Sequence, residues 1–208
     1  MEKMPYQPEQ DAAATTNWRS ALPVLAGSNF VLRELQLEDA PALFAMLTTE
    51  EVTRYISPPP ATVEGFQRFI TWAIAQRERG RHVCYGIVPA GMTTAIGLFQ
   101  LRSLDPRFGS CEWGFAMGAH FWGTGLFVPA ARAVVDFGVD VLGVERLEAR
   151  ASVANGRGNG ALRKIGAVQE GVLRRSFLRH GHYHDQLMWS ILAEDWRMQR
   201  ISIETGIN

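Results

Sequence analysis

Between Cys111 and Leu142 the chain changes its period, and glycine marks the change. In Cys111–Met117, Trp113, Phe115 and Met117 alternate with Glu112, Gly114 and Ala116, which puts the large side chains on one face of a strand. From about Val128 to Leu142 the spacing becomes helical: Ala131, Val134, Val135, Gly138, Val141 and Leu142 form an inner face. Arg132, Asp136 and Asp140 lie at i, i+4 on an outer one. Between the two runs stands His120-Phe121-Trp122-Gly123-Thr124-Gly125-Leu126, and Gly143 ends the helix. A strand, a loop with two glycines and a helix with Pro129 in its first turn are thereby fixed in order. The glycines allow positive φ or close approach of a ligand. A helix start leaves about four N–H groups without internal partners, and with the helix dipole these make an anion site. A lone Gly-x-Gly at this place is also compatible with a simple tight turn. Two familiar phosphate loops are excluded. A P-loop continues Gly-Lys-Ser/Thr, whereas Leu126-Phe127 follow Gly125. A dinucleotide fold requires a third glycine where Val128 stands, and an acidic residue where the next strand ends in Ala151-Ser152.

The remaining elements frame this unit. Phe30-Val31-Leu32 predicts a strand, and Ala40, Leu43, Phe44 and Leu47 one face of a helix. Ser57-Pro58-Pro59-Pro60 breaks helix. Thr62 caps a second helix with the stripe Phe66, Phe69, Ile70, Ala73 and Ile74, which exits at Gly80. Strands are expected at His82–Val88, Thr94–Leu101 and Arg146–Ala151, a short helix at Asn159–Ile165, and a closing hairpin of Val172–Arg179 and Asp185–Leu192 around His180-Gly181-His182. Early and late hairpins with one strand–helix–strand crossover between them imply an α/β (α+β) fold: a mixed, mostly antiparallel twisted sheet flanked by helices, in a single domain. Residues 1–20, polar and without periodicity, read as a flexible N-terminal arm, 21–197 as the domain and 198–208 as a C-terminal tail.

Composition narrows the function classes. Hydrophobic residues make up 47% of the 208, and Lys+Arg and Asp+Glu number 21 each. The chain therefore lacks the broad positive field that non-specific nucleic-acid binding needs. No run approaches the ~18 apolar residues that span a bilayer, and the polar start is unlike a signal peptide. A cytoplasmic protein with neither a nucleic-acid nor a membrane partner is expected. The two cysteines, Cys84 and Cys111, sit in apolar runs and read as free buried thiols. His180, His182 and His184 alternate, but the turn at Gly181 interrupts them and no carboxylate or cysteine cluster completes a site, so no metal is expected.

The pattern His120-x-x-Gly123-x-Gly125 before a helix resembles the Gln/Arg-x-x-Gly-x-Gly/Ala motif of the GNAT superfamily of acetyl-CoA-dependent N-acetyltransferases. Cys111-Glu112-Trp113-Gly114-Phe115 resembles the strand before that family's loop. Arg146–Arg150, Asn155, Leu162 and Lys164-Ile165-Gly166 fall at the spacing of its next strand, asparagine and short helix. Glu170–Arg174 and His180–Asp185 are similar to the terminal hairpin of the branch that holds the ribosomal-protein N-terminal (RimJ/RimL-like) acetyltransferases. The resemblance covers about residues 22–196.

The resemblance implies acetyl transfer from acetyl-CoA, as cosubstrate, to a primary amine on a protein N-terminus or a small molecule, by direct attack in a ternary complex. It assigns His120 and the backbone of Gly123, Thr124, Gly125 and Leu126 to the pyrophosphate. Phe115, Ala116 and Met117 fall to the pantetheine arm and thioester carbonyl, Asn155 to the pantetheine chain or to fixing the loop after the fourth strand, and Lys164, Arg157 and Arg163 to the CoA phosphates or, equally, to a solvated helix face. Glu112, or else Asp185, is the expected base; each also reads as a carboxylate that orders nearby backbone. Tyr55, Phe66, Trp72 and Trp113 read either as acceptor-pocket wall or as core. The chain is expected to act as a monomer or homodimer. Three positions depart from the family pattern. Gly158 stands where the branch often has a serine that assists the thiolate, Phe127 where a small residue is usual, and Pro129 where glutamate is common. The alternative reading is a slow or non-catalytic acyl-CoA-binding protein.

Overall fold

The computed structural model describes residues 17–179 and 181–205. The expected arm therefore lies, up to residue 16, outside the described residues, while residues 18–20 form a turn whose Trp18 packs edge-on against Phe108. One eight-stranded sheet organises the molecule: β1 (Leu25–Ala26), β2 (Phe30–Glu34), β3 (His82–Pro89), β4 (Gly97–Ser103), β5 (Ser110–Met117), β6 (Arg146–Ser152), β7 (Val168–Arg179) and β8 (His182–Leu192). Its spatial order is β1-β2-β3-β4-β5-β6-β8-β7. Neighbours run antiparallel except β5 and β6, which are parallel because a helix connects them. The mixed, mostly antiparallel sheet flanked by helices agrees with the sequence reading.

Helices α1 (Ala40–Leu47), α2 (Glu50–Thr53) and α3 (Val63–Glu78) pack on one face. Thr62 caps α3 through Gly65 N–H at 3.0 Å, and Gly80, at φ +68°, ends it as expected. On the other face lie α4 (Phe127–Asp140), α5 (Gly156–Lys164) and α6 (Ala193–Thr205). The two hydrophobic clusters differ in reach. The cluster under α4 runs from Phe30 and Tyr85 through Leu101 and Trp113 to Leu147, Trp189 and Trp196, joining both ends of the sheet. The cluster under α1 and α3 contains no residue beyond Trp122, so that face of the sheet from β6 onward carries no helix-covered core.

Several boundaries move, for physical reasons. The strand expected at Thr94–Leu101 starts only at Gly97, because buried Asp39 takes the Ala95 N–H at 2.9 Å and holds that stretch out of the ladder. The helix expected from Asn159 starts at Gly156, because Asn155 caps it. In α4, Ala130, Phe137 and Val139 join the buried set, whereas Val141 is exposed. Where a tail is expected from residue 198, the chain continues as α6. Trp196, buried, donates to Asp136 at 2.8 Å, and Arg200 binds Asp136 and Asp140. The charged outer face of α4 is thus half covered. Among the described residues no helix is long and apolar enough to cross a membrane.

Candidate functional site

Pairing between β5 and β6 covers only Ser110–Glu112 against Arg146–Glu148. Beyond that vertex the strands part, although β5 continues to Met117 and β6 to Ser152. Which backbone groups are left unpaired follows from the ladder. Gly118 N–H donates to Ile96 and Leu104 N–H to Ser110, so the even residues of β5 turn to β4. The N–H and C=O groups of Trp113, Phe115 and Met117 therefore face the gap. Trp122 closes its far end by donating its indole N–H to the Met117 carbonyl at 2.8 Å.

The gap opens into a cleft of about 730 Å³, within the range of small-molecule sites. Its lining comes from both faces of the sheet. Gly123, Gly125, Phe127 and Val128 of the glycine loop and α4, with Asn155, Arg157, Gly158, Ala161 and Lys164 at and along α5, form one side. Val52, Arg54, Tyr55 and Ile56 around α2 form the other, and Phe115, Ala116 and Met117 lie between. The cleft thus passes through the sheet and has two mouths.

At the first mouth the loop is built to present backbone donors. Gly123 and Gly125 adopt φ +76° and +84°, a region costly for other residues, and a Cβ at either would point into open space. No side chain caps α4. Among the described residues, the N–H groups of Gly123, Thr124, Gly125 and Leu126 have no protein acceptor, and those of Phe127 and Val128 precede the first intrahelical bond. Six donors and the positive end of a 14-residue helix thus lie together at this mouth of the cleft. Arg157 adds charge beside them, its guanidinium 4.5 Å from the Trp122 ring centre, and Lys164 lines the same wall.

The structure brings together Phe115, Ala116, Met117, Gly123, Gly125, Asn155 and Lys164. Thr124 and His120 are exposed beside the cleft, and Leu126 points its side chain into the core. Asn155 is engaged as a cap, accepting from Gly158 N–H at 2.8 Å. Arg163 turns instead toward Trp189, 5.6 Å from its ring centre. Phe127, which stands where a small residue is usual, lies against Phe115 at 4.6 Å between ring centres and forms part of the wall. Glu112 sits at the vertex, ion-paired with Arg102 across the ladder and outside the lining residues. Asp185 is also outside the lining residues, and its carboxylate accepts from Arg175 N–H at 2.7 Å beside an irregularity in β7.

Of the aromatic residues read as wall or core, Tyr55 lines the cleft, while Phe66 and Trp113 are core and Trp72 is surface, against His82. Sequence reasoning missed the lining role of Val52, Arg54 and Ile56, because a four-residue helix is too short to show periodicity. Burial pushes the Cys111 thiol up to about 12, aided by Glu148, Asp105 and Glu112, which removes it as a nucleophile. Of the three histidines, His180 lies outside the described residues, and among those described no group of His, Cys, Asp and Glu could hold a metal ion.

Residues 29–168 match the family model described as an acetyltransferase (GNAT) domain. The chain is 28% identical over 172 residues to the uncharacterized N-acetyltransferase YoaA of Bacillus subtilis (strain 168), covering 82% of this chain and 97% of that protein. Among solved structures, one from T. thermophilus described as an acetyltransferase superposes with a TM-score of 0.72 at 26% identity, covering 90% of this chain and 99% of that one. Mycobacterium smegmatis RimJ in complex with CoA-disulfide superposes at 0.73 with 19% identity, over 80% of this chain and 83% of that one, a likeness of fold. A glycine loop at a helix start, a parted parallel strand pair and a family match over most of the chain agree: the protein belongs to the GNAT acetyltransferase family.

Proposed function

We propose that the chain transfers an acetyl group from acetyl-CoA to a primary amine, on a peptide N-terminus or a small molecule, by direct attack while both substrates are bound. The observation that carries this reading is the gap itself, a slot one strand wide that ends on six free N–H groups. A pyrophosphate suits the N–H cluster of Gly123, Thr124, Gly125 and Leu126, with Arg157 and Lys164 as neighbouring cations. The amide-bearing pantetheine arm suits the free backbone of Trp113 and Phe115 and enters as a strand would. Phe115 N–H then polarises the thioester carbonyl, and Asn155 holds the turn that ends the slot. The acceptor enters from the other mouth, past Tyr55 and Arg54.

Glu112 serves as base through water, since it stands where the two strands part, ion-paired with Arg102. Asp185 shapes the hairpin, as its bond to Arg175 supports. The CoA complex of RimJ, which shares this fold, supports the cofactor, and the hairpin residues Glu170–Arg174 and His180–Asp185 favour a RimJ/RimL-like acceptor class, peptide N-termini first. The test is free-thiol release from acetyl-CoA with a panel of N-terminal peptides and small amines. Gly158, which carries no hydroxyl, favours a second reading, an acyl-CoA-binding protein with slow turnover. Micromolar CoA binding without thiol release on any acceptor would select it.

A further inference from the structure

We infer that Tyr55 is the general acid that protonates the departing thiolate, an inference that rests on the acetyl-transfer reading above. An alkyl thiol such as cysteine has a pKa of about 8.5, so at neutral pH a thiolate leaves more readily when a proton reaches sulfur as the bond breaks. The side chain at 158 cannot supply one, because it is glycine. The lining of the cleft narrows the alternatives. Among the described residues that line it there is no serine or threonine, and Tyr55 carries the one side-chain hydroxyl. Arg54 and Arg157 do not give up protons. Glu51 is exposed at the outer end of α2. Lys164 closes α5 on the wall that also holds Arg157, beside the anion-binding loop, and so belongs to the phosphates.

Position and bonding agree with this role. Tyr55 follows α2 on the face opposite the glycine loop, across the sheet from the N–H cluster and at the mouth proposed above for the acceptor. Its ring is half-buried, and its hydroxyl has no protein partner among the described residues. Tyr85 shows the contrast: it is buried and donates to the Pro23 carbonyl at 3.0 Å, a purely structural use of a phenol. The step balances. The ammonium acceptor loses a proton to Glu112 through water, and its nitrogen bonds to the carbonyl carbon. The C–S bond breaks with its electron pair on sulfur, which takes the Tyr55 proton. The surplus proton on nitrogen leaves to solvent, and solvent reprotonates the phenolate.

The experiment compares the native enzyme with Y55F on two acetyl donors, acetyl-CoA and 4-nitrophenyl thioacetate, whose stabilised thiolate leaves without a proton. With acetyl-CoA, Y55F is expected to lose about 100-fold in kcat at unchanged CoA affinity, while with the aryl thioester the two enzymes run at equal rates. K164M should instead weaken CoA binding and leave the donor preference as it is. An equal loss on both donors makes Tyr55 a structural residue and overturns the inference, as does unaltered activity with acetyl-CoA. If the native protein binds CoA and acetylates no acceptor, the acetyl-transfer reading fails and the role of Tyr55 fails with it.

Discussion

At the scale of single residues, glycine is legible in a sequence when backbone geometry demands it, and Gly123 and Gly125 are such a case. Their positive φ leaves few alternatives. Gly123→Ala adds about 1–2 kcal/mol of left-handed strain without charge. Gly123→Asp adds the same strain and places a carboxylate among donors aimed at an anion. We expect Gly123→Asp to weaken CoA binding at least about 100-fold and Gly123→Ala much less, with unchanged circular dichroism in both. Calorimetric titration checks this, and equal losses would make the effect conformational alone. For Glu112→Gln the expectation is a fall in kcat of about 100-fold, largest where the acceptor amine is protonated and shrinking as pH rises. Steady-state rates across pH decide it, and full activity throughout would remove Glu112 from the mechanism. The side chains around Tyr55 were less legible, because they are gathered by tertiary packing rather than by spacing.

At the scale of elements, regular periodicity was readable and one-sided contact was not. The stripes of α1 and α3 and the alternation in β5 were foreseen in place. In α6, the buried positions among residues 193–201 are Ala193 and Trp196, a single i, i+3 pair, so no stripe announces the helix there. Its anchor is polar instead: Asp136 and Asp140, one turn apart on α4, seat Arg200, and Arg132 lies over the Trp196 ring. Trp196→Ala should lower stability by about 3–5 kcal/mol, read as a shifted urea midpoint, and Trp196→Phe by about 1 kcal/mol for the lost indole bond.

Asp39 ties three elements together in a similar way. It accepts from Arg33 at 2.7 and 2.8 Å and from Gln36 and Ala95 N–H groups. Burial alone pushes this carboxyl up, but the Arg33 bonds and the two backbone donors outweigh burial and hold it below the ordinary carboxylate range. A lowered folded-state pKa contributes stability above the unfolded value, which is lost as pH falls through the folded one. Asp39→Asn should therefore cost about 3 kcal/mol at pH 7, with the gap to the native protein narrowing below about pH 4. A gap independent of pH would assign the loss to packing.

At the scale of the whole molecule, the class of fold followed from the order of hairpins and crossover, whereas the strand order did not. That β8 and not β7 lies beside β6 depends on pairings remote in sequence, which no local pattern encodes. The parting of β5 from β6 was equally hidden, because each strand taken alone reads as continuous. The alternation of its free edge leads to a whole-molecule test. Added CoA should slow hydrogen exchange at the Trp113 and Phe115 amides and leave Gly114 and Ala116, already bonded toward β4, unchanged. Uniform protection along β5 would mean global tightening instead.

Among the described residues, β5 and β6 join the five strands on one side to the three on the other through a ladder of three residue pairs, and the core under α4 backs them on one face only. A plate joined in this way has an axle. With about 3.3 Å of rise per strand residue, the end of β5, five residues past Glu112, is a lever arm of about 16 Å. A tilt of about 4° about the vertex thus moves the far wall by about 1 Å. Arg179, which donates from the hairpin to the Thr53 carbonyl at 3.0 Å, bonds the two plates on the unbacked face and resists such a tilt. The bore of the cleft thus depends on a short seam and one bridging bond, so a substitution at Arg179 is expected to retune which acceptors fit without touching a single lining residue.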